Sequence, residues 1–324
     1  MPSNTQGIKN IIIQAQTTYP IVSAYEFEFL KTEDVFRRLL SPCTIYIIIQ
    51  RPLIYFDNLQ IGNGTISFNI SDGSSNPCLQ CTFSPSENGL CINDEELLID
   101  VLFFNGSHSS TAPFTNAAGF KLNSIDDVFI AWYSPTKFLY EYLCRNFIAN
   151  VSGDFSHYVD YQVHYIGKAF SQEIWNRLTG HEKLQTILTL EESLGQLSER
   201  APFEISLLML DVIGYDEQNI FPFNSALAVG VEPILHNLDD QCQLTRFLTP
   251  SLPAKAIQLT NEVEALLVNK FRPKYNDILF DNYPNILSGT RSVGYTQSIL
   301  AIDKMPAILR TPLYEAGLRL MCHG

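Results

Sequence analysis

The sequence contains no apolar run long enough to cross a bilayer, since stretches such as Ile45–Ile49 are far shorter than a membrane-spanning helix. It is also poor in charge: 17% of its residues are charged, and 21 Lys and Arg stand against 34 Asp and Glu. The resulting net charge of −13 excludes a protein that coats nucleic acid through a broad basic surface. A small basic cleft on an acidic protein remains compatible with this charge.

The opening residues lack the basic stretch and apolar core of a signal peptide, so we expect a cytoplasmic protein with reduced cysteines. Cys78, Cys81 and Cys91 have a spacing that suggests zinc. A closed zinc site needs a fourth ligand, and Cys43 or His108 would serve only if the fold brought one of them there. Ordinary reduced thiols are the simpler interpretation.

The sequence is rich in apolar residues, and its hydrophobic fraction of 46% is enough to build sizeable cores. Short β-branched and aromatic segments, separated by turns such as Gly62-Asn63-Gly64, dominate the first part of the chain. Strands and helices alternate afterwards, and the clearest helix, Ala254–Lys270, ends shortly before Pro273. We therefore predict an α+β protein with three parts: a β-rich domain (1–143), a small mixed sheet with flanking helices (144–285) and an extension that packs back (286–324).

The individual elements follow from the same patterns. Strands are predicted over Ile45–Gln50, Thr65–Asn69, Leu98–Phe104, Val128–Tyr133, Asp160–Gly167, Glu204–Ile213 and Tyr295–Ile302. Further helices are predicted over Glu33–Leu40, Thr136–Leu143, Gln172–Thr179 and Glu182–Leu190. Residues 214–253 are rich in turn signals.

Three segments carry residue types that phosphate chemistry uses. Tyr165-Ile166-Gly167-Lys168 ends a predicted strand, and Arg177 shares a helix face with His181 if the helix extends that far. Glu264 lies on the apolar face of the last helix, where a carboxylate is costly unless it is paired or holds a metal. Just beyond this glutamate lies a local basic cluster, made of Lys270, Arg272 and Lys274.

Taken in order, these residues resemble the motifs of the GIY-YIG nuclease family. Tyr165-Ile166-Gly167 matches the second half of the motif that names the family. Arg177 matches the arginine of the following helix, and His181 matches a histidine of the restriction-enzyme-like branch. Glu264 stands where the family keeps its metal-binding glutamate, and Asn276 matches the asparagine of its Pro-x-x-Asn ending. The resemblance covers about residues 144–280.

The resemblance implies an endonuclease that depends on Mg²⁺ or Mn²⁺ and cuts DNA, with RNA as the alternative substrate. By analogy it implies a role in defence or restriction. The implied catalytic residues are Tyr165, Arg177, His181 and Lys168, and the implied metal ligand is Glu264. An arginine fork suits a phosphate, and Mg²⁺ needs few protein ligands. Asn276 and the basic cluster of Lys270, Arg272 and Lys274 are then expected to contact the substrate.

The first half of the motif, Gly-Ile-Tyr, has no match near Tyr165. If Asp160–Gly167 is one arm of the family's hairpin, the predicted partner is Asn146–Val151. Phe147 then takes the place of the tyrosine and cannot act as a base, because it has no hydroxyl. Substitute bases are available nearby, namely Tyr140, Tyr142, Tyr158, Tyr161 and His164.

Two functions therefore stand side by side. One is an active nuclease whose N-terminal domain, 1–143, adds no catalytic group and binds a protein partner, activator or substrate. The other is an inactivated nuclease fold that serves as an interaction or nucleic-acid-binding protein.

Overall fold

The structure is a computed structural model, and it describes residues 9–317 apart from several segments. These segments are residues 63, 75–76, 93–94, 105–109, 171, 193–202, 217–238, 240 and 242–251. Most of the turn-rich region predicted over 214–253 thus lies outside the described residues. The described chain is α+β, as predicted.

Fifteen strands are described: Asn10–Thr17 (β1), Val22–Ser23 (β2), Cys43–Pro52 (β3), Tyr55–Gly62 (β4), Thr65–Ser71 (β5), Leu79–Phe83 (β6), Leu97–Phe103 (β7), Ala117–Ser124 (β8), Phe129–Tyr133 (β9), Ala149–Ser152 (β10), Asp160–Lys168 (β11), Phe203–Asp216 (β12), Gln297–Asp303 (β13), Ile308–Arg310 (β14) and Glu315–Gly317 (β15). Six α-helices accompany them in this part of the chain: Ala24–Leu30 (α1), Asp34–Leu40 (α2), Pro135–Leu143 (α3), Ile174–Leu178 (α4), Glu182–Ile187 (α5) and Ile257–Phe271 (α6). All the strands and helices predicted outside residues 214–253 occur, with small shifts at their ends.

The first sheet has the strand order β13-β1-β12-β3-β11-β14-β15, with β2 beside β12. Strand β3 lies in the middle and is antiparallel to both β12 and β11. Its sequence explains this place, because Ile45–Ile49 is fully buried and a strand that is apolar on both faces needs cover on both.

The second sheet is formed by the chain between β3 and β11, in the order β10-β6-β5-β4-β8-β7 with β9 beside β8. Helix α3 packs its apolar side into this sheet, where Phe138 contacts Phe56, Phe68 and Phe83 edge to face. Such aromatic contacts add to the stabilisation from area burial. The second sheet is thus an insertion between two neighbouring strands of the first.

Helices cover both faces of the first sheet. Ile45, Ile47 and Ile49 of β3 belong to the core that contains the apolar side of α6. Tyr46 and Ile48 point to the opposite core, which contains residues of α1, α2, α4 and α5. Alternate residues of one strand therefore contribute to two separate cores.

The strand pairing does not follow the predicted division at residue 143. Strands β1 and β3 come from before this point and pair with β12 and β11, which come from after it. The predicted hairpin partner, Asn146–Val151, is wrong: β10 lies in this stretch and pairs with β6 of the second sheet. Physically, β10 is short and half exposed, whereas β3 is apolar enough for the centre of a sheet.

The described part of the predicted extension, 286–324, adds strands to the first sheet. Strand β13 runs parallel to β1, and β14 runs parallel to the start of β11. In the described part of the chain, no helix has the length and apolar character needed to span a membrane.

A buried arginine joins the two sheets. The Arg51 side chain, near the end of β3, is fully buried and donates hydrogen bonds to Thr136 of α3 and, at 3.2 Å, to Glu204 of β12. Its guanidinium also lies 5.3 Å from the ring centre of Tyr161 in β11. One cation therefore connects three strands of the first sheet to the helix of the second.

We expect Arg51→Ala to lower the free energy of unfolding by about 3–5 kcal/mol, the usual cost of removing one partner from a buried ion pair. Urea unfolding followed by circular dichroism would measure the loss. The matched control is Arg38→Ala on an exposed side of α2, which should change stability by less than about 0.5 kcal/mol. Equal effects of the two substitutions would contradict the role given to Arg51.

Candidate active site

Two tyrosines face each other from paired strands at the centre of the candidate site. In the register of β3 and β11, Tyr46 is opposite Gly167, and Tyr165 is opposite Ile48. The Tyr46 and Tyr165 ring centres are 6.0 Å apart. The sequence pattern predicted the counterpart of the first half-motif at Phe147, so Tyr46 was not among the predicted site residues. The available signal was Thr44-Ile45-Tyr46, inside the most apolar strand of the chain.

A β-bulge sets the direction of Tyr165. The register of β11 against β3 shifts between Val163 and Tyr165, so His164 is an extra residue at this point. As a result Val163 and Ile166 both reach the core beneath α6, while Tyr165 packs in the opposite core with Tyr46.

Gly167 gives the Tyr46 ring its space. A Cβ atom at this position would lie 2.5 Å from Tyr46 Oη and 2.7 Å from Tyr165 Cε1, which is closer than real contacts allow. The glycine of the Tyr-Ile-Gly triplet therefore has a steric reason, because it lets one tyrosine cross the neighbouring strand beside the other.

His181 fixes the hydroxyl of Tyr46. Its Nε2 is 2.7 Å from Tyr46 Oη, and its Nδ1 accepts a hydrogen bond from the Leu184 backbone N–H at the start of α5. Burial, followed by the charges of Arg177 and Lys183, lowers the pKa of His181 to about 4, so the ring is neutral at pH 7. A neutral ring that accepts at Nδ1 carries its proton on Nε2, so His181 donates to Tyr46 Oη.

Arg177 and His181 come together through a turn, because the predicted helix does not extend as far as His181. Helix α4 ends at Leu178, and Gly180, with φ +72°, lets the chain turn before His181 caps α5. A positive φ of this size suits glycine. Burial raises the pKa of both Tyr46 and Tyr165. Arg177 is exposed, and its positive charge lowers both pKa values and so opposes this effect.

Glu264 reaches the same site from α6. Burial is the first cause of the raised pKa of Tyr165, and the negative charge of Glu264 raises it further. Glu264 Oε2 lies 2.7 Å from Lys168 Nζ, at the end of β11. Glu264 therefore enters the site as a paired carboxylate. The fold brings Tyr165, Lys168, Arg177, His181 and Glu264 together, although α6 is far along the chain from α4.

A further cation, Lys183, was missed by sequence reasoning. Its charge acts on the pKa of both His181 and Tyr165, so it lies at the border of the site. It pairs with Asp277 at 3.0 Å, and that aspartate is largely exposed. The one available signal was a lysine two residues after His181 in an acidic chain. Exposed pairs of this kind contribute little stability, so a phosphate can replace the carboxylate.

Asn276 holds the strand that carries Tyr165. Its Oδ1 accepts from the Ile166 N–H at 3.0 Å, and its Nδ2 donates to the Ile166 carbonyl at 2.8 Å. Strand β14 pairs with β11 only at residues 160–162, so this amide takes the place of a strand beside Tyr165. Each end of the Asn276 amide can form one more hydrogen bond, and its predicted contact with the substrate stays a prediction.

Two members of the predicted basic cluster are already paired with carboxylates. Arg272 Nη2 is 2.5 Å from Asp281 Oδ1, and Lys274 Nζ is 2.7 Å from Glu191 Oε1. Lys270 is exposed on the last turn of α6. Substrate contacts through Arg272 and Lys274 would require these carboxylates to be displaced, as at Lys183, and these predicted contacts stay a prediction.

The substitute bases lie elsewhere. Tyr158 is buried in the core of the second sheet, and Tyr161 is buried beneath Arg51. His164 Nε2 bonds to Gln50 Oε1 at 2.9 Å. Within the described residues, no hydrogen bond or ring contact joins any of these three side chains to Tyr46 or Tyr165, so the geometry does not favour them as bases. Tyr140 likewise bonds to Thr17.

The residues present fit Mg²⁺ or Mn²⁺ better than zinc. In the part of the chain that the structure describes, no three His, Cys, Asp or Glu side chains lie close enough to hold a metal. A zinc site needs such a set. Mg²⁺ is commonly bound by one or two carboxylates, with waters and substrate phosphates as its other ligands. Glu264 can provide that one carboxylate, and its side chain keeps 14% of its surface exposed.

Comparisons with protein families, curated proteins and solved structures give no match to this chain.

We expect Gly167→Ala to lower the free energy of unfolding by about 1–3 kcal/mol, because the added methyl group overpacks the space between the tyrosines. Near-ultraviolet circular dichroism should change as the Tyr46 ring moves. Gly62→Ala is the control, since a Cβ there meets nothing within 4 Å. An unchanged near-ultraviolet spectrum for Gly167→Ala would contradict the packing described.

The pKa of His181 predicts how stability changes with pH. Because its folded-state pKa is about 4 and its ordinary value is 6.5, the unfolded chain binds a proton more readily. Stability from this residue is therefore complete above pH 6.5 and is lost as the pH falls toward 4.

His181→Asn should flatten the fall in stability between pH 7 and pH 4, since asparagine can still cap α5 but does not titrate. Urea unfolding of both proteins at several pH values would show it. Burial also lowers the pKa of His164, so this residue too makes the protein less stable as the pH falls. The contribution of His181 is therefore the difference between the variant and the wild type. Identical pH dependence of the two proteins would exclude a buried neutral His181.

Proposed function

We propose that this protein is a metal-dependent endonuclease of the GIY-YIG type, which hydrolyses phosphodiester bonds in nucleic acid. The observation that carries the proposal is the pairing of Tyr46 on β3 with Tyr165 on β11, surrounded by Arg177, His181 and Glu264. Three kinds of group that phosphate hydrolysis needs lie in one place: a hydroxyl held for proton transfer, a cation for the phosphate and a carboxylate for a metal.

In this proposal Thr44-Ile45-Tyr46 supplies the first half of the family motif. It departs from Gly-Ile-Tyr in its first residue and keeps the tyrosine. The second sheet then forms an insertion between the two half-motifs, which are adjacent strands in space. This arrangement supports an active enzyme, because Phe147 no longer has to fill the place of the tyrosine. Phe147 packs against Phe83 and Phe138 in the core of the second sheet.

Each residue has a task that follows from its contacts. Glu264 would hold Mg²⁺ or Mn²⁺, which supplies a polarised water and neutralises charge on the phosphate. Arg177 is exposed beside the tyrosines and can bind two phosphate oxygens. The Nε2–H of His181 and the charge of Arg177 both favour a phenolate at Tyr46, against the effect of burial. We assign Tyr46 Oη, in its phenolate form, as the atom that takes the proton of the attacking water, which leaves a neutral tyrosine and a hydroxide that attacks the phosphate.

DNA is the proposed substrate, with RNA as the alternative. Arg177 and Lys183 place positive charge beside Tyr165, and Lys168 pairs with Glu264, on a protein with a net charge of −13. Because long-range repulsion opposes the approach of a polyanion, a specific nucleic-acid structure or a protein partner has to deliver the substrate. The second sheet is the proposed place for this partner or activator, since it is joined to the catalytic sheet through Arg51.

The alternative is an inactive nuclease fold that binds nucleic acid without cutting it. One observation favours it: Lys168 already occupies Glu264 Oε2, the oxygen that a metal would use. Nucleic-acid binding without cleavage under any metal condition would select this alternative.

The central test is a cleavage assay of the full-length protein on supercoiled DNA, linear DNA and RNA, with Mg²⁺, Mn²⁺ or EDTA. We expect cleavage only with a divalent ion, and no cleavage by Glu264→Gln, which keeps the shape of the side chain but removes its charge. Arg177→Ala should slow cleavage by about 100-fold or more, as the loss of a charge-stabilising donor does elsewhere.

Tyr46→Phe should abolish cleavage because it removes the proposed proton acceptor. The matched control is Tyr158→Phe, a buried tyrosine of the second sheet whose hydroxyl is 3.3 Å from the Pro77 carbonyl. It should cut at the wild-type rate. Cutting that survives Tyr46→Phe or Glu264→Gln would place the chemistry elsewhere.

A further inference from the structure

Two acceptors on one face of α6 hold the Lys168 ammonium. Lys168 Nζ is 2.7 Å from Glu264 Oε2 and 2.8 Å from Asn261 Oδ1. Asn261 precedes Glu264 by three residues, so both side chains lie on the same side of the helix. The charge of Lys168 is therefore shared between a carboxylate and a neutral amide.

These two acceptors differ in what a divalent cation does to them. A metal ion on Glu264 repels the ammonium and competes with it for the carboxylate oxygen. The Asn261 amide is neutral and is a poorer ligand for the ion than a carboxylate, so it can keep its bond to Lys168. The ammonium then has a place to remain within reach of the site.

Asn261 is itself held in position. It is buried, and its Nδ2 donates to the Ser288 carbonyl at 3.0 Å, which directs Oδ1 toward Lys168. Ser288 belongs to a loop that is fixed to α6 by the neighbouring Glu262. The Thr290 backbone N–H donates to Glu262 Oε2 at 3.0 Å, and the Tyr283 hydroxyl donates to Oε1 at 3.0 Å. The amide is thus oriented by a fixed part of the structure.

We propose that Asn261 is a positioning residue. It keeps the Lys168 ammonium bound when a divalent cation replaces that ammonium on Glu264. The released ammonium stays bonded to Asn261 Oδ1 and turns toward a phosphate oxygen of the substrate. The inference deepens the proposed function and rests on it, because it takes Glu264 as the metal ligand. It also gives the Lys168–Glu264 pair a purpose in an active enzyme, namely to neutralise the partly buried carboxylate before the metal arrives.

The test is Mn²⁺ binding to the full-length protein, measured by electron paramagnetic resonance, which needs no cleavage. Lys168→Met should bind Mn²⁺ about threefold more tightly than the wild type, because the competing ammonium is gone. Asn261→Ala should bind it more weakly, since the displaced ammonium loses its acceptor. In the Lys168→Met background, Asn261→Ala should have no effect, and this loss of effect in the double variant is the signature of a residue that acts through Lys168.

Asn269→Ala is the structural control. It removes from the same helix another amide that donates to a loop carbonyl, that of Phe280 at 3.0 Å, so it should leave the affinity for Mn²⁺ close to that of the wild type. An equal effect of Asn261→Ala in both backgrounds, or no change in Lys168→Met, would overturn the inference alone. Absence of Mn²⁺ binding in the wild type, or binding that survives Glu264→Gln, would instead contradict the metal site of the proposed function and the inference with it.

Discussion

The pairing of β3 with β11 is the constraint on which the rest of the site depends. It places Tyr46 opposite Gly167, where the lack of a side chain leaves room for the ring beside Tyr165. Because β3 is apolar on both faces, it takes the centre of the sheet, and its tyrosine becomes one of few polar groups there. The other site residues reach this pair from elements that pack on either side of the sheet.

Local backbone geometry then sets the chemistry. The Leu184 backbone N–H, in the first turn of α5, donates to His181 Nδ1, which leaves the proton on Nε2 and directs it to Tyr46 Oη. The state of one hydroxyl thus depends on a helix cap. On the other side, Lys168 satisfies Glu264 and Asn261 at once, so a partly buried carboxylate is tolerated on α6.

The second sheet makes the sequence hard to interpret, because it separates by more than a hundred residues two strands that are hydrogen-bonded neighbours. Its own core of interlocking aromatic rings lets it pack independently of the helices around the first sheet. The fully buried Arg51 nevertheless ties it to β11 and β12. An insertion fixed in this way sits between the two tyrosine-bearing strands of the proposed active site, which is a suitable place for control by a partner.

The sequence by itself determined the α+β class, most element positions and the group of Tyr165, Lys168, Arg177, His181 and Glu264 as residues to examine. These follow from local signals: periodicity, turn residues and short motifs. Only the tertiary structure decided that β3 is the partner of β11, that Tyr46 completes the cluster, and that Asn276 and the basic residues beyond α6 are already engaged. Strand pairing and ion pairs join residues far apart in the chain, and their energies depend on burial and distance, which no local pattern contains.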